Sequence, residues 1–305
     1  MSFIDVNATP LSVSDRSTQY PHQKHQLEQD IGSFTNLLQQ QPTLVLTGAG
    51  ISTESGIPDY RGPTAKPRNP MRYQEFVKHA RARQRYWARS AAGWLVVKQS
   101  KPNAGHVALA RLEQAGLITG IITQNVDGLH QHAGSQDVLE LHGQLSHVRC
   151  LSCGTTEDRL AFQTRLLAHN PRFQAQVSDI APDGDAEIPD ELITSFDVPA
   201  CHKCGGVLKP DVVFFGENVP KVRVARAWQM LERAGALLVL GSSLTVRSGY
   251  RFVVRAVQDS KPVAIINQGP TRGDADASLR LSAPLGSTLG HLADALIAHQ
   301  RDLNA

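Results

Sequence analysis

The chain has 305 residues, of which 41% are hydrophobic and 19% are charged, a composition that is ordinary for a globular protein. This length accommodates one large domain, or one domain that carries a smaller module. The formal net charge of +3, without a long run of Lys and Arg, argues against nucleic acid as a partner, and no apolar run approaches the ~18 residues that a membrane-spanning helix needs.

The N-terminal residues are mixed and polar, and they lack the basic and then apolar order of a secretory signal. An acidic residue as close to the start as Asp5 also argues against a mitochondrial transit peptide, because such peptides are poor in acidic residues. We therefore expect a cytoplasmic protein. Pro10 and Pro21 break the segment, which predicts a flexible tail over residues 1–24. The oligomeric state does not follow from these features.

A glycine-rich turn follows the first predicted helix and strand. Apolar spacing predicts a helix over residues 25–40 that Pro42 ends, and residues 43–47 form a short apolar strand. The strand runs into Gly48-Ala49-Gly50-Ile51-Ser52, and glycines at such a point let the main chain approach a phosphate closely. Thr53 replaces the third glycine of the dinucleotide fingerprint, so a plain tight turn is the alternative interpretation.

Residues 52–70 are polar and interrupted by glycine and proline, which predicts either a surface loop or a mobile flap over a ligand. Residues 71–98 predict helix in two pieces, with a basic and solvated face. A further helix is expected from Pro102-Asn103 to Ala115, with Gly116 placed to end it.

Polar residues follow the second apolar strand, predicted over residues 117–123. Gln124, Asn125 and Asp127 come directly after it, and His142 follows between Leu141 and Gly143. The polar side chains can form hydrogen bonds with a small molecule. A histidine, with an unperturbed pKa of about 6.5, can act as a base near neutral pH. The alternatives are a hydrogen-bonded turn for the Asn and Asp, and a satisfied or solvent-facing side chain for any one of the 12 histidines.

The rest of the chain alternates short strands with helices. Strands are expected at residues 209–217, 236–240 and 263–266, and helices at residues 221–234, 248–258 and 288–300. Two of these strands end in Gly241-Ser242-Ser243 and Asn267-Gln268-Gly269. The alternation predicts an α/β fold with a Rossmann-like parallel sheet and helices on both faces, whose strand ends bind a ligand.

Two Cys-x-x-Cys pairs, Cys150 with Cys153 and Cys201 with Cys204, account for all four cysteines. Four thiolates in two pairs favour one tetrahedral structural Zn²⁺, since a closed shell leaves no open position for a substrate. A redox pair is the alternative, but it needs only one Cys-x-x-Cys.

The motifs also occur in a familiar order and combination. They are Gly48-Ala49-Gly50-Ile51-Ser52, Gly56-Ile57-Pro58-Asp59-Tyr60-Arg61, Thr123-Gln124-Asn125-Val126-Asp127, Leu141-His142-Gly143, both cysteine pairs, Val213-Phe214-Phe215-Gly216-Glu217, Gly241-Ser242-Ser243 and Asn267. Together they resemble the sirtuin family from about residue 30 to 300. The run from Arg83 to Arg89 and the stretch from Pro182 to Asp185 further resemble the class II branch, which includes an animal mitochondrial sirtuin.

The resemblance implies removal of acyl groups from protein lysine, with NAD as co-substrate and with release of nicotinamide and acyl-ADP-ribose. In that chemistry the acyl oxygen attacks the ribose of NAD, and a ribose hydroxyl must then lose its proton. His142 is the implied general base, and Asn125 the implied residue that holds the ribose. The other implied NAD contacts are Gly48, Ala49, Gly50, Ser52, Asp59, Tyr60, Arg61, Gln124, Asp127, Gly241, Ser242, Ser243, Asn267, Gln268, Gly269 and Leu285.

The resemblance also implies how an acylated lysine in a protein substrate is bound. Val213, Phe214, Phe215 and Gly216 are expected to pair with an extended peptide by strand addition. Tyr86 and Arg89 form a Tyr-x-x-Arg pair that grips an acyl carboxylate in desuccinylating relatives, so we expect a preference for acidic or bulky acyl groups. The alternative is that Arg89 faces solvent and Tyr86 packs in the core.

We therefore expect residues 25–305 to form a sirtuin catalytic domain. Its large Rossmann-like part comprises residues 25–70, 103–145 and 210–305, and its small zinc and helical module comprises residues 71–102 and 146–209. ADP-ribosyl transfer to protein is the alternative reaction, because it uses the same cleavage of NAD. A module that senses NAD without reacting is the non-enzymatic alternative, which the presence of His142 and Asn125 disfavours.

Overall fold

A computed structural model describes residues 21–62, 65–175, 177 and 179–303. Most of the predicted tail, residues 1–20, lies outside this part of the chain. Helix α1 (Pro21–Gln40) begins before the predicted start at residue 25. In the described residues, no helix combines the length and the apolar character needed to cross a bilayer.

The larger sheet has six parallel strands in the order β3-β2-β1-β7-β8-β9. These strands are β1 (Thr43–Thr47), β2 (Ile118–Thr123), β3 (Val138–Glu140), β7 (Ala236–Leu240), β8 (Val263–Ile266) and β9 (Leu279–Leu281). Thr47, the last residue of β1, pairs with Thr123 of β2 and with Leu240 of β7. Neighbouring strands therefore end together, and the residues that follow them meet at one edge of the sheet.

Helices cover both faces of this sheet, as predicted. Along β1 the buried side chains alternate: Val45 packs in the core beneath α1, α4 (Ala104–Gln114) and α10 (Leu285–Leu303), whereas Leu44 and Leu46 pack beneath α8 (Lys221–Arg233) and α9 (Arg247–Gln258). All five residues of β1 are buried, which is typical of a central parallel strand between two helical layers. The hydrophobic character of the strand thus follows from its place in the sheet.

A second unit packs around its own hydrophobic core. It combines the antiparallel sheet β5-β4-β6 with four helices. Its elements are α2 (Tyr73–Lys78), α3 (Ala80–Gln99), β4 (Gly143–Cys150), β5 (Thr156–Asp158), α6 (Arg159–His169), α7 (Asp190–Thr194) and β6 (Leu208–Val212). The short helix α5 (Leu129–His132) lies between β2 and β3 along the chain. Arg159 is 1% exposed, and its guanidinium lies 4.6 Å from the ring centre of Trp94.

Several elements differ from the sequence prediction. A 3-10 helix, Ala49–Ser55, occupies a segment that we expected to be irregular beyond Ser52. The strand expected over residues 209–217 ends at Val212, because the Phe214 N–H donates to the Glu217 carboxylate and Gly216 has a φ of 79°. The three-residue strands β3, β5 and β9 were not predicted, since such short strands carry no periodic pattern.

The four cysteine thiols come together at one end of the β5-β4-β6 sheet. All four sulfurs lie within 4.8 Å of one another, with Cys150 Sγ 3.5 Å from Cys204 Sγ and Cys153 Sγ 3.9 Å from Cys201 Sγ. A tetrahedral zinc with Zn–S bonds of about 2.3 Å requires sulfurs about 3.8 Å apart, so the four thiols fit one Zn²⁺. Because each close contact joins one Cys-x-x-Cys pair to the other, the arrangement is that of a shared metal site.

Replacing Cys153 or Cys201 with serine is expected to reduce the zinc content from about one ion per chain to almost none, since a structural site needs all four ligands. The same variants unfold at a lower temperature, because metal binding contributes to the folding free energy. Elemental analysis of purified protein and thermal unfolding are the two measurements. Ser152→Ala, in the same turn as Cys153, is the matched control. Wild-type protein that holds no zinc and contains an internal disulfide would contradict the assignment.

Candidate active site

A cavity of about 490 Å³ opens at the ends of the parallel strands β1, β2, β7 and β8. Its volume lies within the range of small-molecule sites, which is about 300–1,000 Å³. The sequence-predicted residues that line it are Gly48, Ala49, Gly50, Ser52, Asp59, Tyr60, Arg61, Gln124, Asn125, Asp127, His142, Val213, Phe214, Phe215, Gly216, Gly241, Ser242, Ser243, Asn267 and Gln268. The topology thus gathers segments that are far apart along the chain.

The glycine turn after β1 packs directly against the turn after β7. The N–H of Gly48 donates to the carbonyl of Leu240, and the N–H of Gly50 donates to the carbonyl of Gly241 at 2.8 Å. A Cβ on Gly48 would lie 2.7 Å from the Cβ of Ser242, and one on Gly50 would lie 2.8 Å from the Cα of Gly241. Both glycines are therefore required by the contact between the two turns. Their amides are already paired there, so the expected approach to a phosphate rests on the shape of the turn.

A polar network joins the turn after β1 to the turn after β2. Asn125 is 9% exposed, and its Nδ2 donates to Ser52 Oγ at 3.0 Å. Ser52 Oγ donates to Asp127 Oδ2 at 2.8 Å, and the N–H of Leu129 donates to Asp127 Oδ1. Burial raises the pKa of the Asp127 carboxyl, while these hydrogen bonds oppose the shift. The network holds Asn125 in one orientation at the floor of the cavity.

The main chain of Asn125 is fixed from the opposite side by buried side chains. Its N–H donates to Thr123 Oγ1 at 3.1 Å, and Thr47 Oγ1 donates to the same hydroxyl at 2.8 Å. His130 Nε2 lies 3.0 Å from Thr47 Oγ1. Burial holds the pKa of His130 well below its usual value, so this ring is neutral. Asn125 is thereby positioned through both its side chain and its backbone.

Both ring nitrogens of His142 have partners. Nδ1 lies 2.9 Å from the main-chain oxygen of Gln124, and Nε2 lies 2.8 Å from Ser248 Oγ. Because a carbonyl oxygen only accepts hydrogen bonds, Nδ1 carries the proton and Nε2 carries the free lone pair. Burial lowers the pKa of His142 to about 4, and the positive charges of Arg223 and Arg251 act in the same direction. At neutral pH the ring is a neutral base that faces the cavity.

The segment that follows β6 forms another part of the cavity wall. The N–H of Val213 donates to the main-chain oxygen of His142 at 2.7 Å, which ties this wall to the base. The ring of Phe215 lies 5.9 Å from the ring of Tyr60 in an edge-on arrangement. The carbonyls of Phe215 and Gly216 accept hydrogen bonds from Tyr73 N and Gln74 Nε2. Part of the backbone that we expected to pair with a peptide is therefore already bonded within the chain.

Four predicted residues do not line this cavity. Leu285 packs beneath the Gly241 turn, and the carbonyl of Gly269 accepts a hydrogen bond from Asn267 Nδ2 at 3.0 Å. Tyr86 and Arg89 line a separate cavity of about 150 Å³, which shares Met71 with the larger one. Tyr86 is 2% exposed, as the core alternative predicted.

Arg89 is not exposed to solvent in the way that the alternative interpretation expected. Its Nε lies 2.8 Å from Asp185 Oδ1, and its side chain is 27% exposed. Burial, followed by the neighbouring charge of Asp183, raises the pKa of Asp185 to about 7, while Arg89 opposes this shift. The arginine therefore already has a carboxylate partner within the chain.

Several residues of the larger cavity were not predicted from the sequence. Ser248 and Arg251 reach it from the first turns of α9, and Asp183 reaches it from the loop that follows α6. Ser248 and Arg251 belong to no motif, and Asp183 lies in the Pro182–Asp185 stretch but was not assigned to the site. The helix start near residue 248 was the one available signal, since the first turn of a helix that follows a parallel strand faces the ligand edge of the sheet.

Comparison with known proteins places these features in a family. Residues 48–248 match the Sir2 family. The chain is 52% identical over 269 residues to NAD-dependent protein deacetylase 1 of Streptomyces coelicolor, a match that covers 88% of this chain and 90% of that protein. It is also 47% identical to NAD-dependent protein deacylase Sirt4 of Drosophila melanogaster, over 94% of each chain.

Solved structures agree with this assignment. The fold is similar to that of Sir2 with a p53 peptide and NAD⁺, at a TM-score of 0.70 and 33% identity, covering 88% of this chain and 98% of that one. The chain described here belongs to the Sir2 family.

Proposed function

We propose that this protein removes acyl groups from lysine side chains of other proteins, using NAD and releasing nicotinamide and O-acyl-ADP-ribose. The observation that carries the proposal is the geometry of His142. Its Nδ1 is bonded to the Gln124 carbonyl, so its Nε2 lone pair faces the cavity that also contains Asn125 and the glycine turn. The deacetylase and deacylase relatives, and the likeness to Sir2 with a peptide and NAD⁺, support the same reaction.

The residues of the cavity suit this chemistry in separate ways. NAD supplies the electrophilic ribose carbon when it is bound. His142 is the proposed acceptor of the ribose hydroxyl proton, because its ring is neutral and its lone pair is directed into the cavity. Asn125 is held by Ser52 and Thr123 in a position to orient the ribose. Asp127, with its raised pKa, is the proposed partner of the departing nicotinamide amide.

We also propose finer assignments that rest on sequence patterns. Membership of the class II branch is supported by the run from Arg83 to Arg89 and by the Pro182-Asp183-Gly184-Asp185 stretch, which the Arg89–Asp185 ion pair brings together. A cytoplasmic location is a further proposal, and fractionation of cells that express the protein tests it.

The first prediction concerns the fate of the ADP-ribosyl group. With NAD labelled in its adenosine part and an acetyl-lysine peptide, the label is expected on acyl-ADP-ribose, because the acyl oxygen is the nucleophile. Protein ADP-ribosylation would instead leave the label on protein, and an NAD-sensing module would release no nicotinamide. Separation of the labelled products by chromatography distinguishes the three outcomes, and His142→Ala is expected to form no acyl-ADP-ribose.

The second prediction concerns the pH dependence of the reaction. A folded-state pKa of about 4 keeps His142 neutral well below its ordinary value near 6.5, so kcat/KM persists as the pH falls through 6.5 and is lost closer to 4. The measurement is kcat/KM for the acyl peptide against pH, with circular dichroism at each pH to exclude unfolding. An acid limb at or above pH 6.5 in the folded protein would show that burial does not lower the pKa of the base.

The third prediction concerns the acyl group. We propose that the smaller cavity binds the far end of acidic or bulky acyl chains. Arg89 is the proposed cation, for which an acyl carboxylate competes with Asp185. Arg89→Ala is expected to lower turnover of succinyl- and glutaryl-lysine peptides about tenfold relative to acetyl-lysine. A tenfold change corresponds to the loss of one hydrogen bond to a charged group, which contributes about 1.5 kcal/mol.

Arg85→Ala is the matched control for this experiment, since Arg85 lines the same small cavity but pairs with Glu75 at 2.6 Å. The assay measures nicotinamide release from each peptide at saturating NAD. An unchanged ranking of acyl groups in Arg89→Ala would show that Arg89 has no part in acyl selection.

A further inference from the structure

Ser248 contacts His142 at the wall of the cavity that both residues line. It is the second residue of α9, it is half-buried, and its Oγ lies 2.8 Å from His142 Nε2. It also lines the larger cavity together with His142. A hydroxyl therefore contacts the one ring nitrogen that is available for proton abstraction.

The direction of this hydrogen bond is fixed by chemistry. The Gln124 carbonyl can only accept, so Nδ1 of His142 is protonated and Nε2 is an acceptor. Ser248 must then donate its hydroxyl proton to Nε2. The lone pair that would take a proton from the ribose is thus already engaged by Ser248, whose oxygen keeps its own lone pairs for a second partner.

The start of α9 is held tightly against this pair. A Cβ on Gly249 would lie 2.5 Å from Gln124 Oε1, so the first turn of α9 packs closely against the side chain of Gln124. Arg251 Nε donates to the main-chain oxygen of Ser248 at 3.1 Å. Ser248 and His142 are consequently held by the same two elements, the first turn of α9 and the turn after β2.

We propose that Ser248 is a further catalytic residue, which carries the proton from the ribose hydroxyl of NAD to His142. The inference rests on the proposed deacylase function. The Ser248 O–H bond breaks as its proton moves to His142 Nε2, and a new O–H bond forms as Ser248 Oγ takes the proton of the ribose hydroxyl. The ribose oxygen is left with the electron pair for attack on the acyl carbon, and the imidazolium keeps Nδ1–H on the Gln124 carbonyl.

Two steps of the reaction separate this role from a structural one. Exchange of labelled nicotinamide into NAD, in the presence of the acyl peptide, needs binding and NAD cleavage but no base. Formation of deacylated peptide needs the base as well. Ser248→Ala is therefore expected to lower kcat for deacylation about 100-fold, the scale of general base catalysis, while nicotinamide exchange stays within about twofold of wild type. Ser248→Thr keeps the hydroxyl and is expected to retain most of the activity.

Three results would overturn the inference. The first is deacylation by Ser248→Ala at the wild-type rate or faster. The second is a parallel loss of nicotinamide exchange and deacylation in a Ser248→Ala protein that thermal unfolding shows to be folded. The third is an equal loss of deacylation in Ser248→Ala and Ser248→Thr. Wild-type protein that performs neither exchange nor deacylation would instead remove the proposed function, and this inference with it.

Discussion

The hydrogen bond from His142 Nδ1 to the carbonyl of Gln124 is the constraint on which the active site depends. A carbonyl cannot donate, so the bond selects one tautomer and directs the basic nitrogen towards the cavity. Burial keeps the ring neutral, which a base requires. The residue that supplies the carbonyl is also the first residue after β2, so the orientation of the base is set by the end of a strand in the central sheet.

The parallel sheet brings the ends of β2, β1 and β7 side by side. Thr47, Thr123 and Leu240 end their strands in register, so the glycine turn, the Asn125 turn and the Gly241 turn emerge side by side. The glycine turn would collide with the Gly241 turn if Gly48 and Gly50 carried a Cβ. The two glycines therefore serve the packing of neighbouring turns, and the shape of the cavity follows from that packing.

The four central strands of the sheet, its helices and the gathering of the polar turns were predictable, because buried strands and amphipathic helices leave periodic patterns and parallel strands end at one edge. The contribution of Ser248 was not, since a serine in the first turn of a helix has no distinctive pattern and its contact with His142 spans 106 residues of sequence. The Arg89–Asp185 pair was missed for the same reason. Residue type indicates what a side chain can do, whereas its partner is decided by tertiary packing.

The zinc-binding unit is connected to His142, the proposed catalytic base, through two strands. β4 begins at Gly143, directly after His142, and ends at Cys150, the first of the four thiols. β6 pairs with β4 and begins shortly after Cys204, and Val213, the residue that follows β6, donates its N–H to the main-chain oxygen of His142. The metal site joins the far ends of these two strands, so it restrains the segment that bears the base. A structural zinc site can thus support catalysis although no thiol lines the reaction cavity.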